Sequence, residues 1–214
     1  MPNKTEVSSQ VATTRAERTA RRRRQILEAA SIVIQQYGYS RASLADIASL
    51  VGISAPSLLH HFNSKDELLV ALLDYRDDVS RSATSTSFEE AGESRLAHLV
   101  ETSEANSENL VLTQLYSVLL GESLTEDHPA KDFFISRFKG LRPKVAEGVA
   151  EAIGDPSVPE QDIEEVAAGI IAVMDGLQYQ FLLDNSSVDM AAVTERVIRA
   201  LLADLRARTT SISD

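Results

Sequence analysis

Three serine-led helix starts crowded into residues 43–64 constrain this chain more than any other feature. Ser43 precedes Leu44-Ala45-Asp46, Ser54 precedes Ala55-Pro56-Ser57, and Ser64 precedes Lys65-Asp66-Glu67. A serine hydroxyl at a helix start accepts from an otherwise orphaned amide and contributes about 1 kcal/mol. At Ser64 the pattern predicts a capping box, with Glu67 reaching back to the Ser64 amide. Pro56 falls in the first turn of its helix, where a missing N–H costs nothing. Ala48 is small where two helices would cross, and Gly52 permits a sharp turn between them. Ile47, Val51, Ile53, Leu58 and Phe62 then face inward and lock a helix-turn-helix over residues 43–62.

The rest of the chain also reads as helical. Residues 1–14 are polar and without period, so a disordered arm is expected. From Arg15 to Tyr37, Ile26, Ala30, Val33, Ile34 and Tyr37 form one apolar stripe behind a basic start, and Gly38 supplies a left-handed stop. Further helices are predicted near 65–82, 94–105, 108–122, 129–152, 160–184 and 189–208. No segment alternates with the period of a strand. The expected fold is all-α with about nine helices: the arm 1–14, a helix-turn-helix domain over 15–66, and a larger helical domain over 67–214.

Charge divides the chain the same way. The net charge of −11 argues against nucleic acid globally, but residues 1–66 hold nine Lys/Arg against five Asp/Glu, and residues 67–214 hold twelve against twenty-seven. Such asymmetry points to one part meeting a polyanion. There is no cysteine, hence no disulfide or thiolate metal site, and a reducing cytoplasm is expected. No run of roughly 20 consecutive apolar residues suggests a membrane span, and residues 1–14 lack the apolar middle of a signal peptide.

Catalytic patterns are missing. Of the four histidines, His60 and His61 are adjacent and diverge on a helix, and His98 and His128 stand alone. No dinucleotide, phosphate-loop or nucleophile-elbow motif occurs. Glu89-Glu90 and Glu164-Glu165 read as solvated faces. An enzyme, a metal and a cofactor are therefore not expected. A helical carrier would account for residues 67–214 but leaves the basic N-terminal third unexplained.

The N-terminal helix, the helix-turn-helix and the following Phe62-Asn63-Ser64-Lys65-Asp66-Glu67-Leu68-Leu69 together resemble the TetR family of one-component regulators, whose signature there is F-x-S-K-x-x-L-L. The likeness fades after about residue 72. It implies that Ser43 and Lys65 hold phosphates, that Ala55, Pro56 and Ser57 sit over base edges behind the Ser54 cap, and that His60 or His61 lies near the DNA backbone. Arg21, Arg22, Arg23 and Arg24 would add phosphate or minor-groove contacts. Leu59 occupies a position where many members carry a tyrosine, so that one phosphate contact is lost or passes to His60. The reading helix is poor in donors, and base readout would rest on thymine methyls and shape.

The resemblance also implies a homodimer on a pseudo-palindromic operator and a small-molecule effector that releases it. Ile170, Leu177 and Phe181 on one C-terminal helix and Val193, Val197 and Leu201 on the other are the candidate dimer residues. Tyr75, Leu99, Leu115, Tyr116, Leu119, Phe134, Phe138, Met174 and Gln178 are the candidate cavity lining, suited to a mainly apolar ligand.

Overall fold

The computed structural model describes residues 14–86 and 93–212, which form nine helices and no strand. The arm before Thr14 and the Glu89-Glu90 pair lie outside the described residues. Helix α1 (Arg15–Arg41) opens on a capping box that the sequence reading missed: Thr14 accepts from the Glu17 amide and Glu17 accepts from the Thr14 amide. Gly38 interrupts its last turn with φ 74° and ψ 166°. The expected apolar stripe is buried from Ile26 to Ile34. Tyr37 is a correction: it is 47% exposed, because the break at Gly38 turns Tyr39 inward in its place.

Helices α2 (Leu44–Val51) and α3 (Ala55–Leu59) follow, and Gly52 ends α2 in the left-handed region. Helix α4 (Lys65–Ser82) then runs away from the motif. Its start differs from the expected capping box. Ser64 accepts from the Glu67 amide, but the Glu67 carboxylate accepts from the backbone and side chain of Asn63 rather than from Ser64. The remaining helices are α5 (Glu93–Glu108), α6 (Leu110–Glu122), α7 (Lys131–Ile153), α8 (Glu160–Leu183) and α9 (Met190–Ile212).

Two apolar clusters hold these helices. The first joins α1–α4 to α6 and the start of α7, with Ile26, Ile34, Ile47, Leu58, Phe62, Leu72, Leu115 and Leu119 fully buried. The second joins α5, α7, α8 and α9 through Leu99, Val145, Val149, Ile170 and Leu205. The cluster around the motif thus runs past residue 66, through Leu68–Leu73, into α6. Helix α4 belongs to the motif's core at one end and reaches the second half of the chain at the other.

Candidate DNA interface and effector cavity

Capping geometry fixes what the recognition segment can offer. Ser43 accepts from the Asp46 amide at 3.0 Å and donates to the Asp46 carboxylate at 2.5 Å, and Ser54 accepts from the Ser57 amide at 3.3 Å. Pro56 and Leu59 are exposed, while Ala55 packs against the first cluster and Ser57 is half-buried. Helix α3 ends at Leu59, so His60 is its C-cap and His61 begins the turn rather than extending the helix. Burial, then Arg23 and Arg22, hold the His61 imidazole below its ordinary pKa, which leaves it neutral near pH 7.

The four consecutive arginines separate into different roles. Arg21 and Arg22 line a cleft of about 280 Å³ with Arg15, Arg18, Thr19 and His61. Arg15 and Arg18 were missed in the sequence because they precede the run, yet they lie six and three residues before Arg21, at helical spacing. Arg22 also donates to the Val51 carbonyl at 3.4 Å. Arg23 points inward: it stacks over the Phe62 ring at 4.1 Å and donates to the His61 carbonyl, tying α1 to the end of the motif. Arg24 is exposed and stands outside that cleft.

Lys65 is turned back on its own fold, 3.5 Å from the Ser40 carbonyl and 4.3 Å above the Tyr39 ring. The Tyr39 hydroxyl donates to Asp66, and the Tyr39 amide donates to Glu122 at the end of α6 at 2.8 Å. Buried His128 stacks edge-on against Tyr39 at 5.3 Å, with Nε2 3.8 Å from Glu122. The end of α1, the start of α4 and the α6–α7 connection therefore meet at one tyrosine.

A cavity of about 400 Å³ opens among α4–α8, within the range of small-molecule sites. Leu99, Tyr116, Met174 and Gln178 line it as expected from the sequence. Tyr75, Leu115, Leu119, Phe134 and Phe138 do not. The first four belong to the cluster around the motif, and Phe138 packs against the second cluster. The lining is also more polar than expected, with Arg76, Asp77, His98, Thr102, Asn106, Arg137, Lys144 and Asp175 contributing. A signal for two of these was present: Arg76 follows Leu69 and Leu72 at helical spacing and Asp175 follows Ile171, so each is a charge set within a buried stripe.

Those charges form a connected network. Arg76 donates to Asp77 at 3.1 Å and to Asn106 at 3.4 Å; Asn106 donates to Gln178 at 3.5 Å, and Gln178 to Asp175 at 3.4 Å. Arg137 donates to the other Asp77 oxygen at 2.6 Å. Burial pushes Asp175 up to about 6, against the opposing pull of Arg137 and Arg76. A carboxyl that holds its proton more tightly folded than unfolded makes stability fall as pH rises from about 4 to about 6, with the full penalty above that window. Asp175→Asn is expected to raise unfolding free energy by about 3 kcal/mol at pH 7.5. In urea titrations the gain should narrow steadily between pH 6 and pH 4, and a pH-independent gain would contradict the assignment.

The candidate dimer residues fall into two groups. Ile170 and Leu177 are corrections: they are 1% and 5% exposed in the single chain, because that stripe of α8 faces its own core. Phe181, Val193, Val197 and Leu201 are half-buried, and Tyr179 and Leu183 on α8 are exposed at 45% and 89%. Among the described residues, α8 alone is long and apolar enough by length and composition to cross a membrane, although Asp175 and Gln178 interrupt its apolar run; 28% of its most apolar window is buried. No group of three His, Asp or Glu side chains among the described residues could hold a metal ion.

A capped helix-turn-helix braced by arginines, continuous through α4 with a helical half that encloses a small-molecule-sized cavity, defines a DNA-binding transcriptional regulator. Residues 26–72 match the family model described as bacterial regulatory proteins, tetR family. The chain is 29% identical over 207 residues to the HTH-type transcriptional regulator TtgR of Pseudomonas putida, covering 86% of this chain and 91% of that one. Its fold is similar to a TetR-like transcriptional regulator from Rhodococcus sp. RHA1, with a TM-score of 0.61 at 18% identity over 93% of this chain and 98% of that one. It is also similar to the transcriptional regulator FadR of Bacillus subtilis, solved in complex with stearoyl-CoA, with a TM-score of 0.59 at 15% identity over 84% and 97%. These likenesses support a DNA-binding transcriptional regulator of the TetR family, with the family model itself confined to residues 26–72.

Proposed function

We propose that this protein is a cytoplasmic, non-enzymatic homodimeric repressor, divided near residue 66 into reading and sensing parts, and released from a pseudo-palindromic operator by a small molecule in the α4–α8 cavity. The observation that carries the reading is α4 itself. One unbroken helix places Lys65 beside the motif and Arg76 in the cavity wall, eleven residues or roughly 16 Å apart. A ligand that favours one setting of α4 must change the setting of the motif, and DNA must oppose that ligand by the same factor.

On DNA, the face of α3 that carries Pro56, with Ser57 beside it, enters the groove, while Arg15, Arg18, Arg21 and Arg22 with His61 line the backbone. Ser43, Ser54 and Lys65 sit at helix starts whose free amides suit phosphate. The exposed apolar surface of α8, with half-buried Val193, Val197 and Leu201 on α9, supports pairing of two protomers, which a single weak motif needs.

The test is a gel-shift titration on DNA flanking the protein's own gene at several salt concentrations, with sedimentation to read the oligomer. Expected are a dimer, a steep loss of affinity with salt, and a log–log slope shallower by about 0.9 for Arg21→Ala. Arg23→Ala should instead lower thermal stability. A monomer, or binding insensitive to salt, would overturn the reading.

A further inference from the structure

The charge lining the cavity separates possible classes of effector. Residues 67–214 are strongly acidic, yet the lining carries Arg76, Arg81, Arg137 and Lys144 against only Asp77 and Asp175. Arg81 is engaged by exposed Asp78 at 2.6 Å. Arg76 and Arg137 share the single carboxylate of Asp77, and the Tyr116 ring contacts both guanidiniums, with centroid distances of 4.4 and 5.3 Å. The buried Nε of Arg137 has no hydrogen-bond partner. A guanidinium with an unused donor in a partly dry site is a receptor for a planar anion, since a carboxylate can take two parallel N–H bonds from it. A neutral ligand can offer that donor a single uncharged acceptor but no charge and no second parallel bond, and a cation must lie against two guanidiniums. Beside these groups Leu99, Phe133, Leu141, Ile171 and Met174 supply apolar surface.

We infer that the effector is an amphipathic organic acid, its carboxylate held by Arg137 beside Arg76 and its apolar body laid along Phe133, Ile171 and Met174. This rests on the α4–α8 cavity being the effector site. The polar end of the lining selects the charge, and the apolar remainder sets the size of the body.

Calorimetric titration of the full chain tests it with two matched sets of probes: decanoate, decanamide and decyltrimethylammonium, and 2-naphthoate with 2-naphthamide. Each set should favour its acid at least tenfold over its amide. Arg137→Gln should bring acid and amide within about threefold, with the larger loss on the acid, and Arg137→Lys should keep part of the preference. Equal affinity for acid and amide in the unmodified protein, preference for the ammonium, or a preference that survives Arg137→Gln would overturn the proposal. The comparison in the unmodified protein stands even if the Arg137 variants fail to fold. Operator titration separates this inference from the reading beneath it. An acid that binds through Arg137 without changing operator affinity leaves the anion site standing and overturns the effector role. Amide or ammonium binding that releases DNA does the reverse, and binding by none of the probes overturns both.

Discussion

Replacing Phe62 by alanine is expected to destabilise the protein by about 3–5 kcal/mol, the range for emptying a buried aromatic site. Phe62 is fully buried, at the point where the motif ends and the chain turns toward α4. Its ring has a second duty beyond filling volume. The Arg23 guanidinium lies on it at 4.1 Å while donating to the His61 carbonyl. Alanine would leave a void beneath a partly buried cation, so the transfer and packing losses are joined by loss of the stacking contact. Phe62→Leu keeps most of the volume and should lose far less, about 1–1.5 kcal/mol. Urea denaturation of the three proteins measures both values. Because Arg23 positions α1 against the motif, operator affinity should fall with stability in the alanine variant. A loss below about 1 kcal/mol would mean that the ring is not the keystone of the first cluster.

The same residue shows how far the sequence can be read. The spacing of the motif alone turns Phe62 inward, as it does Ile47 and Leu58, and all three are fully buried. Local patterns of this kind are legible because capping and helical period act within a few residues. The role of Arg23 is not legible that way. Nothing in Arg21-Arg22-Arg23-Arg24 distinguishes the third arginine until the helix is wound and one of the four directions meets the Phe62 ring. The cavity shows the same limit. Leu115 and Phe134 are as apolar as Leu99 and Met174, but which pair faces an empty volume depends on how α6 and α7 are rotated against α4, and no periodicity records that. Charges in the wall carry more information. Arg76 and Asp175 break apolar stripes, and a buried charge survives only where partners or a ligand meet it.

Gly38→Ala is the second substitution expected to act strongly, at about 2–4 kcal/mol, and it reaches the point where the end of α1, the start of α4 and the α6–α7 connection meet. Gly38 holds φ 74° and ψ 166°, a backbone region open essentially to glycine alone, where a side chain costs on the order of 1–3 kcal/mol. A Cβ there would also clash with Glu122 Oε1. The carboxylate can swing away, but only by releasing the Tyr39 amide it accepts from at 2.8 Å, and an amide left unpaired costs about 1–3 kcal/mol. The two contributions can be separated in a double-mutant cycle. In a Glu122→Ala background the steric conflict and its lost bond are already absent, so Gly38→Ala should then cost only the backbone strain, and the pair should be less damaging than the sum of the single variants. Strict additivity would mean that Glu122 and Gly38 do not act together. Tyr39 also carries Lys65 over its ring and donates to Asp66, so displacing it moves the first turn of α4. Operator affinity measured under conditions where Gly38→Ala remains folded should therefore fall, although residue 38 lies outside the motif itself.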